Sequence, residues 1–303
     1  MKMRKTIIGL GELLWDLLPS GERLGGAPAN FAVMAARLGN HGVIASALGA
    51  DARGEQALQL LGGFPVDLSF VQTIPKQPTG TVGVEFHDDE PHYVIHKPAA
   101  WDFLEWTPEW HKLAAQADAV CFSTLAQREP ASRATIRQFL AATSPECVRV
   151  CDVNLRPPFF SAEVVAESLE QATIFKLNEA EVPQVLAMLG AKAETDLQVA
   201  ARWFLEKYPL QLVAITLGAE GSLLVTRDSS HRRQGIAGNV VDTVGAGDTF
   251  TAALVDAYLR GASLATMNEA GNRWGAWIAS QRGAMPELDA ATYEAIQQKI
   301  YTS

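Results

Sequence analysis

Apolar runs of strand length alternate along this chain with segments whose apolar positions recur every three to four residues. Thr6–Leu10, Val43–Leu48, Ala119–Ser123, Val148–Val153, Ile174–Leu177 and Leu212–Leu217 read as near-continuous apolar runs rather than in/out alternations. That pattern suits parallel strands buried on both faces. Helical patterns lie between them. Phe31, Met34, Ala35 and Leu38 form one stripe, closed by Gly39 at a C-cap position, and Pro130–Ala141, Ala162–Leu169, Glu179–Leu189 and Leu197–Tyr208 follow. The alternation predicts an α/β fold, with a doubly wound, mostly parallel sheet flanked by helices in one large domain over 1–303.

Two stretches, about 12–24 and 66–101, break this rhythm with short alternating segments such as Thr81-Val82-Gly83-Val84-Glu85-Phe86. A turn at Asp88-Asp89-Glu90-Pro91 and the run His92–Ile95 complete hairpins that predict a small β-sheet lid. Val82, Val84, Phe86, Tyr93 and Ile95 give the lid one apolar face. Its strands would leave unpaired edges, so a homodimer through the lid is expected. His87, Asp88, Asp89, Glu90 and His92 lack a metal-ligand spacing and read as a solvated hairpin turn.

A chain of 303 residues buries enough surface to fold without disulfides or a structural metal. Its three cysteines, Cys121, Cys147 and Cys151, form neither a zinc spacing nor a disulfide framework, which fits a reducing cytoplasm. The net charge of −9 and the absence of a Lys/Arg block argue against nucleic-acid or anionic-membrane partners. Lys2, Arg4 and Lys5 precede an apolar stretch that Glu12 and Asp16 interrupt, so it reads as a buried first strand rather than a leader. No apolar segment is long enough to span a membrane.

The chemistry concentrates at Val241-Asp242-Thr243-Val244-Gly245-Ala246-Gly247-Asp248-Thr249-Phe250. Small residues run directly into a helical pattern, so backbone N–H groups point outward at the positive end of a helix dipole. Such a loop holds developing negative charge, as on a phosphoryl group in flight. Asp248, in the first turn, is placed to take a proton from an attacking hydroxyl. Gly25-Gly26-Ala27-Pro28-Ala29-Asn30 also opens a helix; its small residues let a ligand reach backbone amides, and Asn30 both donates to and accepts from hydroxyls. Gly9-Leu10-Gly11-Glu12 follows a strand, but Leu14 replaces the third glycine of a dinucleotide fingerprint. A Walker-type GxxxxGK[ST] loop is absent from the sequence.

These two glycine motifs resemble the two signatures of the ribokinase-like (PfkB-type) carbohydrate kinases. Asp152-Val153-Asn154-Leu155-Arg156-Pro157, Asn178-Glu179-Ala180-Glu181, Thr216-Leu217-Gly218-Ala219-Glu220-Gly221-Ser222 and Arg282-Gly283-Ala284-Met285-Pro286 are similar to further family motifs in the same order. The resemblance implies that Asp248 is the catalytic base, that Gly245, Ala246 and Gly247 form the anion hole, and that Asp16, Gly25, Gly26 and Asn30 hold sugar hydroxyls. It implies ATP at Asn178, Glu181, Thr216, Gly218, Gly221, Gly247 and Asn272, with Mg2+ reached from Asn178 and Glu181 through water. It also implies K+ at Asp242, Val244 and Gly283.

Gly25–Asn30 looks most like the fructokinases. In the second lid segment, however, many fructokinases carry an arginine and an acidic residue where this chain reads His96-Lys97-Pro98-Ala99-Ala100-Trp101-Asp102. Lys97 is the substrate-side cation there, and an ammonium does not replace a bidentate guanidinium. The alternative substrate is 2-keto-3-deoxygluconate, whose carboxylate requires a cation; Arg23, Lys97 and Arg156 are the candidates, and the uncharged ketose is favoured. A non-catalytic sugar or nucleotide sensor is the rival from another class, and the intact Asp248 and glycines argue against it.

Overall fold

The computed structural model describes residues 4–19, 21–87 and 90–301. The chain divides into two compact units, Met1–Cys147 and Val148–Ser303. The first runs β1 (Thr6–Leu10), β2 (Leu14–Leu18), β3 (Gly21–Gly25), α1 (Ala27–Arg37), β4 (His41–Gly49), α2 (Ala52–Leu61), β5 (Val71–Ile74), β6 (Gly80–His87), β7 (Glu90–Ile95), α3 (Pro108–Ala115), β8 (Ala119–Phe122) and α4 (Pro130–Ala141). β8, β1, β4 and β5 lie side by side in that order, all parallel. Beyond their first residues β1 and β4 are wholly buried, and so is β8, which is why these strands read as unbroken apolar runs.

β3, β2, β6 and β7 form a separate small sheet in which two antiparallel hairpins join through a parallel β2–β6 pairing. The segment 66–101 is not all lid. Val71–Ile74 pairs parallel with β4 and extends the larger sheet, and Ala100 and Trp101 are buried at the start of a 3-10 turn, Ala100–Phe103. Of the apolar lid face, Val82 and Ile95 are half-buried; the side chains of Val84, Phe86 and Tyr93 lie outside the described set, as do Asp88 and Asp89.

Two glycines set the seat of α1. A Cβ on Gly9 would lie 1.9 Å from the Pro28 carbonyl oxygen, and one on Gly42 would lie 2.3 Å from that of Ala32. Backbone therefore meets backbone, and Ala29, Ala32, Ala35 and Ala36 complete the contact as buried small residues. Gly9 thus serves helix packing, which accounts for a glycine pair that stops short of a dinucleotide fingerprint.

The second unit runs β9 (Val148–Asp152), α5 (Ala162–Gln171), β10 (Ile174–Asn178), α6 (Glu181–Met188), α7 (Leu197–Lys207), β11 (Leu212–Thr216), β12 (Ser222–Val225), β13 (Ser230–Arg233), α8 (Ala246–Leu259), α9 (Leu264–Ala279) and α10 (Ala290–Tyr301). Its strands follow one another from β9 to β13 across the sheet; β9–β11 are parallel and the last two pairings antiparallel. α8 and α9 approach closely, because Gly271 leaves room for the Phe250 ring, 2.6 Å from where a Cβ would stand. Asp51, Thr107, Ser161, Asp196 and Ser263 cap α2, α3, α5, α7 and α9 by accepting from first-turn amides. Mostly parallel strands with helices between them, plus a small separate sheet, make this an α/β fold, as the apolar pattern predicts. Cys121, Cys147 and Cys151 are buried free thiols. Among the described residues no helix is long and apolar enough to cross a membrane.

Gly9→Ala forces a methyl into the Pro28 carbonyl and should cost at least about 2 kcal/mol. Urea unfolding measures this, and a variant as stable as the parent would show that α1 is not seated on that glycine.

Candidate active site

In the second unit the candidate residues gather where parallel strands end and α8 begins. Gly245 is the N-cap of α8, held at φ 78°, where a side chain is strained. A Cβ there would also meet the Ala284 methyl at 2.5 Å, so the Arg282–Ala284 turn closes directly on the glycine loop. The first i−4 bond of the helix runs from Thr249 N to the Gly245 carbonyl, 2.9 Å. The Gly247 and Asp248 amides thus precede the ladder at the positive end of the dipole. Asp248 is half-buried in that first turn.

Beneath this turn lies a buried ion pair. Lys176, from β10, places its Nζ 3.0 Å from the carboxylate of Asp152 at the end of β9. The same ammonium is 3.1 Å from where a Gly247 Cβ would stand, so any larger residue at 247 would crowd it. Thr251 bridges the layers: its hydroxyl donates to the Gly247 carbonyl at 2.8 Å and lies 3.3 Å from Asp152 Oδ2. Burial pushes the Lys176 pKa down, but Asp152, Glu181 and Asp248 together outweigh it and hold the pKa above the ordinary lysine value. The ammonium is therefore charged and paired.

Asn178 and Glu181 close on each other. The Glu181 N–H donates to Asn178 Oδ1 at 3.0 Å, and the Asn178 N–H donates to Glu181 Oε2 at 2.8 Å. The Leu155 amide donates to Glu181 Oε1 at 2.9 Å, tying the Asp152–Pro157 motif to the start of α6. Burial raises the Glu181 pKa; the amides of Asn178 and Leu155 and the Lys176 charge offset only part of that.

Gly218 and Gly221 both take positive φ in the turn that follows β11 and Thr216, and Gly221 packs against the Arg233 carbonyl. Asn272 Nδ2 donates to Ser222 Oγ at 2.7 Å and to the Asn268 carbonyl at 2.8 Å. It thereby braces α9 against β12 in the wall expected to border the nucleotide. Asp242 accepts from the amides of Val244 and Gly283, each at 3.1 Å, joining the two loops expected to surround K+.

The first unit holds the remaining candidates. Gly26, at φ 115°, is the N-cap of α1, and a Cβ there would lie 2.5 Å from the Glu12 carbonyl oxygen. Asn30 is buried one turn into the helix. Asp16 sits opposite Arg23 in the β2–β3 register, and its carboxylate lies over Gly25, 2.8 Å from a Cβ position. Lys97 is exposed, with its ammonium 3.8 Å from Glu129.

Sequence reasoning passed over Lys176. Its signal was present, however: a charged residue inside a strand buried on both faces demands a partner. Lys176→Met leaves Asp152 buried without its counter-charge and should cost about 3–5 kcal/mol in urea unfolding. Adding Asp152→Leu should recover much of that stability without restoring turnover. A double variant with the parent's turnover would remove Lys176 from the site.

Residues 21–291 match the pfkB family of carbohydrate kinases. The fructokinase of Escherichia coli is 29% identical over 300 residues, covering 92% of this chain and 94% of that protein. The aminoimidazole riboside kinase of Salmonella typhimurium is 28% identical, with 95% and 93% covered. Among solved structures, the fructokinase of Vibrio cholerae with fructose, ADP and calcium bound superposes at a TM-score of 0.80, with 27% identity and 96% of this chain and 98% of that one covered. The match runs from the lid through the glycine loop of α8 to the first residues of the last helix, and the chain belongs to the pfkB family of carbohydrate kinases.

Proposed function

We propose that this carbohydrate kinase transfers the γ-phosphate of ATP to a hydroxyl of fructose, giving fructose 6-phosphate. The observation that carries the reading is Asp248 in the first turn of α8, beside the Gly245–Gly247 amides and above the Lys176–Asp152 pair. Asp248 takes the proton as the sugar oxygen attacks the γ-phosphorus, and the bond to the bridging oxygen of ADP breaks in line. The loop amides and the Lys176 charge stabilise the negative charge that builds on the transferring group. Asp16, Gly26 and Asn30 hold the sugar hydroxyls.

The donor set near Asn178 fits Mg2+ held by phosphates and water. Both Glu181 oxygens already accept backbone amides, and the described residues hold no group of three ligands that could form a cage. When bound, the ion neutralises phosphate charge, and Asn178 and Glu181 orient its waters. Asp242, already bridging the Val244 and Gly283 loops, suits K+ beside them.

The lid cations favour a neutral sugar over 2-keto-3-deoxygluconate. Lys97 lies near Glu129, and the fork of Arg128 is taken up by Asp102. Both are therefore engaged, and Arg23, the remaining lid candidate, stands opposite the Asp16 carboxylate in the β2–β3 register.

Asp248→Asn should lower turnover by about 10²–10⁴ while leaving ATP binding in place. Retention of more than about a tenth of the parent's rate would exclude the base role. ADP release over fructose, 2-keto-3-deoxygluconate and aminoimidazole riboside ranks the acceptors. A higher kcat/KM for either of the last two would overturn fructose and leave the kinase standing. Turnover in K+ should exceed that in tetramethylammonium several-fold; equal rates would remove K+ from the proposal.

A further inference from the structure

Arg128 stands outside every motif singled out above, yet it is among the most completely enclosed charges in the first unit. Its side chain is 2% exposed, and that of its partner Asp102 is 0% exposed. The guanidinium fork donates to both Asp102 oxygens at 2.7 Å, Nη2 also donates to the His96 carbonyl at 2.9 Å, and the plane stacks 3.9 Å from the Trp101 ring centroid. Asp102 accepts in turn from the Ala99 amide at 2.9 Å. One cation thus fixes three points of the segment by which the chain leaves the lid.

Those points reach β6 and the end of β7. His96 directly follows β7; its N–H donates to the Thr81 carbonyl at 3.0 Å, and its Nδ1 lies 2.8 Å from the Thr81 hydroxyl. The imidazole occupies the space over Gly83, and the Trp101 indole occupies the space over Gly80, 2.3 Å from a Cβ position. β6 then pairs with β2 at Leu14–Gly80, Trp15–Thr81 and Asp16–Val82. A continuous run of contacts therefore leads from Arg128 through His96 and Trp101 to the strand register that sets Asp16.

Stability alone does not account for the pair, because replacing a buried ion pair with apolar residues is often neutral or stabilising. What apolar residues cannot supply is the directed bond to the His96 carbonyl or the acceptor for the Ala99 amide. We propose that Arg128 is a positioning residue that holds the lid over the sugar side of the site, so that its loss weakens sugar binding and spares phosphoryl transfer. This rests on the sugar-kinase reading for its kinetic consequence, but not for its structural one.

Two variants test it. Arg128→Lys keeps the charge and loses the fork, whereas Arg128→Met with Asp102→Leu keeps a filled core. Both should raise the sugar KM about tenfold, as expected for losing charge-assisted hydrogen bonds, with kcat and the ATP KM within about threefold of the parent. Amide hydrogen exchange at 80–83 and 94–96 should quicken in both, whichever sugar is the substrate. Unchanged exchange there, an unchanged sugar KM, or a fall in kcat matching the rise in KM would each overturn the positioning role. A parent protein that phosphorylates no sugar would instead sink the kinase reading, and the exchange result alone would then decide the role of Arg128.

Discussion

An ammonium and a carboxylate 3.0 Å apart, enclosed beneath the first turn of α8, are what the glycine loop of this protein is built on. Lys176 is a charge where the surroundings screen weakly, so it stands only because a counter-charge lies beside it. Asp152 makes that charge tolerable, and Thr251 ties the pair to the Gly247 carbonyl. Gly247 lies against the ammonium, 3.1 Å from where a Cβ would stand, and Gly245 is small because Ala284 and a left-handed backbone leave no room. The glycines of the loop are therefore answers to what lies beneath and beside them.

The same economy of space governs the first unit. α1 meets β1 and β4 through backbone at Gly9 and Gly42, which brings Gly26 and Asn30 to the carboxyl end of β1. The candidate groups of the second unit follow the same rule: Asp152 ends β9, Asn178 ends β10 and Thr216 ends β11. In open parallel sheets this is the end at which ligands bind. The β6–β7 hairpin is then held at each end. Asp51 accepts from the Thr79 amide and hydroxyl just before β6, and Arg128 holds the segment just after β7.

Residue pairs explain the motif spacings. Asn178 and Glu181 are three apart because each side chain reaches the other's amide across one helical turn. That reciprocity is also a helix start, which is why the motif alone separates poorly from an ordinary cap. Asp242 lies 41 residues from Gly283, yet its carboxylate spans both loops, a relation that no local spacing could announce.

The apolar runs by themselves determined the α/β class and the buried strands β1, β4, β8, β9, β10 and β11, because a strand covered on both faces is apolar along most of its length. They also determined the glycine loop with Asp248, because a tight entry into a helix needs small residues in sequence. The destination of Val71–Ile74, read as part of the lid, was decided by the edge of β4, since a short half-buried strand carries no mark of its sheet. Lys176 under Gly247, and Arg128 between Asp102 and Trp101, were likewise decided only by tertiary structure. Their partners lie 24 and 26 residues away along the chain, and what makes each buried charge tolerable is a counter-charge that only folding brings alongside.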